Sequence, residues 1–368
     1  MGNGKIWRAA AIGHTGHGDF GHGLHVAYKG LPGVEMVAIA DPDDEGRAKA
    51  QEQTGAQRAY ADYQEMLDKE DLDVVSVCPR HTVVHLELTE AVAKAGCHIY
   101  CEKAIARDLI EADQIVEVCE SNNVKIAVSH QSRYVEPWIT AREMVKRGDI
   151  GQLLCIHGRG KEDRRGGGED MLTLGTHVFD MMRFIAGDPD WVFGHVTVDG
   201  RDISREDAAE PTEPIGPVAG DAISGMYGFP NGVRGTFTSV RGQHTRGSRM
   251  GTTLVGTEGT LVLRWGAPIL LSRTKCAPEE GGDFEEIEVP DEPTVPGAEP
   301  LENDDFISRG NRLAVWDLIQ SAEEDNEPIS SGKDARFALE MILGVYATHL
   351  ARCRLAFPLE DRKHPLDR

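Results

Sequence analysis

The sequence predicts an α/β protein of two domains. A Rossmann-type doubly wound parallel sheet comes first, and a C-terminal α+β domain with an open, mostly antiparallel sheet follows. Three observations predict this. Short apolar runs alternate with helical stretches up to about residue 130, a glycine-rich turn directly follows the first run, and beyond about residue 150 strand-like runs succeed one another without helices between them. The boundary is placed at residues 1–130 and 131–368, with the C-terminal helices returning to the first domain.

Ile6 to Ile12 is a buried parallel strand that stops at Gly13, and His25 to Lys29 is helical after the turn. Strands are predicted at Val34–Ala40, Val74–Cys78, Cys97–Cys101 and Val124–Ser129. Helices are predicted at Gly46–Thr54, Tyr63–Asp68, Leu86–Ala95 and Leu109–Ser121. In the second domain, strands fall at Leu153–Arg159, Val192–Val198, Ala222–Phe229, Val233–Val240, Thr252–Gly256 and Thr260–Arg264. Turn signals such as Pro230-Asn231-Gly232 and Glu258-Gly259 join several of them. One helix, His177–Ala186, is inserted, residues 278–305 read as a surface excursion, and Ala314–Glu323 and Asp334–Arg354 are the last helices.

The 368 residues suffice for two cores, and 40% apolar with 27% charged residues is a globular mixture. A formal charge of −22 excludes nucleic acid and an anionic membrane surface as partners. The 7 cysteines (78, 97, 101, 119, 155, 276 and 353) form no C-x-x-C pair and sit mostly in apolar runs, as in a reducing compartment. No apolar run is long enough to span a bilayer, and a cytoplasmic protein is expected.

In the turn, Gly16, Gly18 and Gly21 match G-x-G-x-x-G, and Gly13 and Thr15 stand beside them. Glycines let the backbone approach a pyrophosphate, which then meets helix N–H groups. The strand before and the helix predicted after it support a dinucleotide site. The second strand ends in Asp41, whose carboxylate suits the adenosine ribose hydroxyls and repels a 2′-phosphate, so NAD is expected over NADP. Which glycines touch phosphate stays open, because Gly13 also ends the strand. His14, His17, His22 and His25 crowd the same segment, but no Cys or acidic ligand set with zinc spacing accompanies them, and no metal is expected.

With the turn, Asp41 and Glu102-Lys103-Ala104 in place, the chain resembles the Gfo/Idh/MocA oxidoreductases over nearly its whole length. Ala95 to Ala104 is similar to the family's AGKHVxCEKP signature, with Ala104 for proline, and Pro79 ahead of His85 is similar to its TPxxxH segment. Gly256-Thr257-Glu258-Gly259 and Pro328 with Gly332-Lys333-Asp334 also fit. The resemblance implies NAD as cofactor, a small carbohydrate or polyol substrate, and a homodimer or homotetramer assembled through the C-terminal sheet. It places Gly13, Thr15, Gly16, Gly18, Gly21, Asp41, Pro79, His85, Glu102 and Lys103 at the cofactor. The glycine turn is about four residues longer than the family's usual one, and Thr173 stands where the family carries the aspartate of Asp-x-Gly-x-His, with His177 kept.

Oxidising a carbinol requires a base for the hydroxyl proton. His177 has the fitting chemistry, and Lys103 can hold the hydroxyl or stabilise the developing alkoxide. The competing readings are a helix-capping or core histidine and a surface ion pair with Glu102. Asp180, on the same helical face as His177, and Asp170 are secondary partners for the imidazole. In the run 161–170, Lys161, Arg164 and Arg165 are candidate anion clamps, the alternative being a solvated loop, and Arg133 and Thr173 complete the substrate candidates. Two further functions remain open: NAD-dependent glycoside hydrolysis by transient oxidation, and a non-catalytic NAD-binding regulator.

Overall fold

The computed structural model describes residues 5–243, 250–266, 270–275 and 283–367. Cys276 and the start of the 278–305 stretch lie outside the described residues. Two compact units emerge: Met1–Tyr134 with Glu213–Ile215 and Pro293–Arg336, and Val135–Thr212 with Gly216–Glu292 and Phe337–Arg368.

The first unit is built on six parallel strands: β1 (Trp7–Ile12), β2 (Val34–Ala40), β3 (Arg58–Tyr60), β4 (Val74–Val77), β5 (His98–Cys101) and β6 (Ile126–Val128). Their order, β3-β2-β1-β4-β5-β6, reverses direction beside β1, which opens a crevice at the carboxyl ends of β1 and β4. Between them run α1 (Asp44–Thr54), α2 (Tyr63–Lys69), α3 (His85–Lys94) and α4 (Leu109–Ser121). Asp43 caps α1 by accepting from Gly46 N–H at 2.7 Å, and Asp108 caps α4 through Glu111 N–H at 2.9 Å.

The helix predicted at His25–Lys29 is not formed. Only a 3₁₀ turn, Leu24–Val26, follows the glycines. Gly16, Gly18, Gly21, Gly23, Gly30 and Gly33 all take positive φ, and the residues left between Gly23 and Gly30 are too few to offset helix nucleation. Cover for this side of the sheet comes from α8 (Phe306–Glu324), whose Ala314, Val315, Leu318 and Ile319 pack in one core with Trp7, Phe20 and Tyr28. Each large apolar side chain so buried contributes about 1.5–3 kcal/mol. The helix starts at its Asp305 cap rather than at Ala314, and Val295, expected in a surface excursion, is buried in the same core.

The second unit opens with α5 (Glu136–Arg147), a helix the sequence analysis does not predict. Its ten-stranded sheet has the order β15-β14-β13-β12-β7-β11-β10-β8-β16, with β9 paired to β8. The strands are β7 (Leu153–Arg159), β8 (Trp191–Val198), β9 (Arg201–Asp202), β10 (Ala222–Gly228), β11 (Arg234–Val240), β12 (Gly251–Gly256), β13 (Thr260–Arg264), β14 (Leu270–Thr274), β15 (Glu285–Glu286) and β16 (Leu355–Ala356). Only β7 and β11 run parallel among the described pairs. One face is covered by α7 (Gly175–Ala186), preceded by α6 (Gly168–Thr173), and by the second half of α9 (Gly332–Ala351). Gly158 makes room for α7, since a Cβ there would lie 2.4 Å from Val178 and 2.6 Å from Met182. The other face presents Phe193 and Met226 with exposures of 42% and 45%.

Candidate active site

In the first unit a cavity of about 300 Å³ opens at the carboxyl ends of β1 and β2. Ile12, Ala40, Val84 and Leu88 form its apolar wall, and Asp41, Tyr63 and His14 supply polar edges. Apolar walls with a carboxylate at the end of β2 are what the adenosine half of a dinucleotide requires. The Asp41 carboxylate is itself engaged: it accepts from Thr15 Oγ1 at 2.7 Å, from Thr15 N–H at 3.1 Å and from Asp43 N–H at 2.9 Å.

The glycines of the turn differ in what they permit. A Cβ on Gly13 would enter the Phe20 ring, one on Gly18 would lie 2.4 Å from Arg80 N, and one on Gly21 would lie 2.3 Å from the Glu102 carboxylate. These three let the turn pack on the strand ends. Gly16 alone of the four faces open space, with φ 81°.

Glu102 and Lys103 follow β5. Glu102 is fully buried and accepts from His22 N–H at 2.8 Å, the His22 ring at 3.0 Å and Ser129 Oγ at 2.9 Å. Burial by itself would raise its carboxyl; His22, with Lys103 next to it, outweighs that and holds it well below the usual carboxylate range. Lys103 is nearly buried, at 8% exposure, and its N–H donates to Ser129 Oγ at 3.0 Å. The peptide bond to Ala104 is cis.

Two residues predicted for binding have side chains engaged within the unit. His85 is fully buried, with its ring nitrogens 2.7 Å from Pro79 O and 3.0 Å from Ile105 O, so it positions the Pro79 loop from beneath. Arg133 is buried too, and its guanidinium donates to Ile329 O at 2.6 Å and pairs with Asp334 at 3.3 Å. Spacing from a strand end is visible in sequence; the direction of the side chain is not. His22 and Ser129, the partners of Glu102, were not singled out for that role.

In the second unit His177 sits half-buried in the first turn of α7, and Asp180 is fully buried on the same helix. Thr173 donates from Oγ1 to Glu169 O at 2.7 Å, a bond internal to α6. Asp170 is fully buried and accepts from Lys161 N–H at 3.2 Å, Glu162 N–H at 3.0 Å and Ser239 Oγ at 2.5 Å. Burial raises its carboxyl above the usual range in spite of these donors. Arg165 is paired with Asp163 at 3.0 Å; burial opposes it, but Arg165 holds the Asp163 carboxyl down to about 2. Lys161 and Arg164 are the exposed cations of this run. Buried carboxylates and close-packed glycines therefore anchor the segment, which is not a solvated loop throughout.

Comparison with known proteins agrees with this arrangement. Residues 10–130 match the NAD-binding Rossmann fold of the GFO/IDH/MocA oxidoreductase family, and residues 138–262 match that family's C-terminal domain. The chain belongs to the Gfo/Idh/MocA oxidoreductases. As a member of this family it is an NAD-dependent oxidoreductase. Levoglucosan dehydrogenase of Pseudarthrobacter phenanthrenivorans is 25% identical over 69% of this chain and 73% of that enzyme. Myo-inositol 2-dehydrogenase of Thermotoga maritima is 30% identical over 42% of this chain and about half, 48%, of that enzyme. A solved levoglucosan dehydrogenase in complex with NADH and levoglucosan shares the fold with a TM-score of 0.76 at 21% identity, covering 96% of this chain and 100% of that one. No helix among the described residues is long and apolar enough to cross a membrane.

Proposed function

We propose that this Gfo/Idh/MocA protein oxidises a secondary alcohol of a sugar, sugar acid or polyol. The observation that carries the reading is the apolar cavity ending on Asp41 in a Rossmann sheet, joined to a second domain of a family whose relatives are named for levoglucosan and inositol. Bound NAD supplies the acceptor for the carbinol hydride. We assign the hydroxyl proton to His177, with Asp180 as the acidic residue of the same helix, and assign Lys103 to holding the hydroxyl oxygen and its developing charge. Thr173, tied to Glu169 O, takes no part in proton transfer in this scheme. The open face bearing Phe193 and Met226 is the surface through which we assign a homodimer or homotetramer, and the site of action is the cytoplasm.

The test is a screen of sugars, polyols, sugar acids and aryl glycosides that follows NADH and released aglycone together. His177→Ala and Lys103→Ala should each lower kcat at least about a hundredfold, within the range a positioned acid or base contributes, with NAD affinity nearly unchanged. Full turnover in the His177→Ala variant would remove it as the base. Aglycone release that requires NAD without net NADH would move the protein to redox-neutral glycoside cleavage, the reading that the loss of the family's aspartate at Thr173 favours.

A further inference from the structure

A Rossmann turn ordinarily meets pyrophosphate with free backbone amides and the N-terminus of the helix that follows. Here six of the turn's amides are already used. Asp19 N–H and His14 N–H exchange bonds with each other's carbonyls at 3.0 and 3.2 Å, and His17 N–H donates to His14 O at 2.9 Å. Gly16 N–H donates to the Asp19 carboxylate at 2.8 Å, Thr15 N–H to Asp41 at 3.1 Å and Gly21 N–H to Gly18 O at 3.2 Å. The helix is missing as well, since only the 3₁₀ turn Leu24–Val26 follows.

Side chains that carry or can acquire positive charge gather in the same place. The His14 and His17 rings are 4.5 Å apart, and the His17 and His81 rings 5.9 Å apart. Arg80 precedes His81, its Nε is buried with no hydrogen-bond partner among the described residues, and its guanidinium stands 3.7 Å from Asp19. The glycine at position 18, with φ 94°, permits this by letting the turn lie against the Arg80 and His81 backbone. His14 also lines the cavity that ends on Asp41.

We propose that His14, His17 and His81, together with Arg80, form the pyrophosphate-binding group of this protein, and that NAD binds with uptake of protons by these imidazoles. In the free protein, burial and then the neighbouring His17, Arg80 and His14 press His81 below its usual value, with Asp19 opposing. A bound dianion reverses the sign of the local field, so the imidazoles take up protons on binding. A group whose bound-state pKa is raised gives affinity that is full at low pH and is lost as pH rises through that pKa. The acidic groups around the trio are Asp19 on the turn and Asp41, Asp62 and Glu87 along the cavity, while Glu102 is engaged by His22 further along.

The measurement is isothermal titration of the full chain with NAD, ADP-ribose and adenosine, each in two buffers of different ionisation heat. Between about pH 6 and pH 8.5, NAD and ADP-ribose should weaken at least about tenfold, with net proton uptake at neutral pH. Adenosine, which lacks the pyrophosphate, should change by less than about twofold, and it controls for any titration of the cavity carboxylates. His17→Gln should flatten the slope for NAD, whereas His157→Gln, on an exposed strand position of the other unit, should leave it intact. An NAD affinity flat in pH, a slope shared by adenosine, or a slope that survives in a His14→Asn/His17→Gln double variant would each overturn the proposal while leaving NAD as cofactor. Absence of NAD binding at every pH would overturn both.

Discussion

Two fully buried carboxylates, one in each unit, are held in much the same way and titrate in opposite directions. Glu102, below the glycine turn, accepts from two backbone or ring groups of His22 and from Ser129. Asp170, behind the 161–170 run, accepts from two backbone amides and from Ser239. Glu102 is nonetheless pushed below the carboxylate range and Asp170 above it. Glu102 also accepts from Lys103 N–H at 2.9 Å, but one more neutral donor does not account for opposite directions. What does is that Glu102 faces an imidazole and a lysine, whereas Asp170 has neutral donors and the like charge of Asp163 nearby. The first site is built to hold a negative charge at neutral pH, and the second holds its charge only at a cost set by burial.

The largest effect should come from breaking the Glu102 network. Glu102→Ala strands buried donors on His22 and Ser129 and should cost about 3–5 kcal/mol in urea unfolding at neutral pH. Glu102→Gln keeps one acceptor and sharpens the comparison through its pH dependence. The folded carboxyl lies below its unfolded value, so its stabilisation is present above that value, near about 4.3, and fades as pH falls through the folded pKa. The cost of Glu102→Gln should therefore shrink on acidification. A cost that does not fall between about pH 4.5 and about pH 2 would mean that His22 does not set the charge of Glu102.

Asp170→Asn should show the reverse. Its folded carboxyl lies above the unfolded value, so its stabilisation is full below the unfolded pKa, near about 3.9, and is lost as pH rises through the folded one. The variant should cost about 1–2 kcal/mol at neutral pH, since one acceptor for an amide or hydroxyl is lost, and the cost should grow as pH falls. Parallel pH trends in the two variants would erase the contrast.

The same two regions show what could be read from residues alone. The parallel sheet was legible because its strands are continuous apolar runs, and so was the switch to successive strands after residue 150. The three-residue β3 carries too little pattern to stand out, and α5 was missed although Pro137 at its start and Gly148 at its end are ordinary helix punctuation. The glycine turn was located correctly, but the closure of its amides on Asp19 and Asp41 depends on tertiary pairing, as does the failure of the helix after it. At the 161–170 run the sequence supplied cations and carboxylates without saying which neutralise each other. Asp163 with Arg165, and Asp170 with backbone amides, are long-range or turn-specific choices that charge pattern does not encode.

That partition yields the smallest effect on stability and the sharpest division between two adjacent residues. Arg165 is bound to Asp163, whereas Arg164 is exposed and makes no ion pair among the described residues. Arg165→Ala should cost about 0.5–1 kcal/mol, as for a partly exposed pair. It should also release the Asp163 carboxyl upward from about 2, so that the cost disappears as pH falls below the ordinary aspartate range. Arg164→Ala should change stability by less than about 0.5 kcal/mol. If the run faces an anionic substrate, Arg164→Ala should instead raise KM for a sugar acid about tenfold, the loss of one charge-assisted contact, and leave a neutral polyol nearly unaffected. Thermal unfolding and steady-state kinetics on both variants read the two outcomes separately. A rise in KM confined to Arg165→Ala would exchange their roles, against the expectation that an arginine already paired with Asp163 is less available to a substrate. Equal indifference of both substrates to Arg164→Ala would leave Arg164 in solvent and make the run a purely structural brace around Asp170.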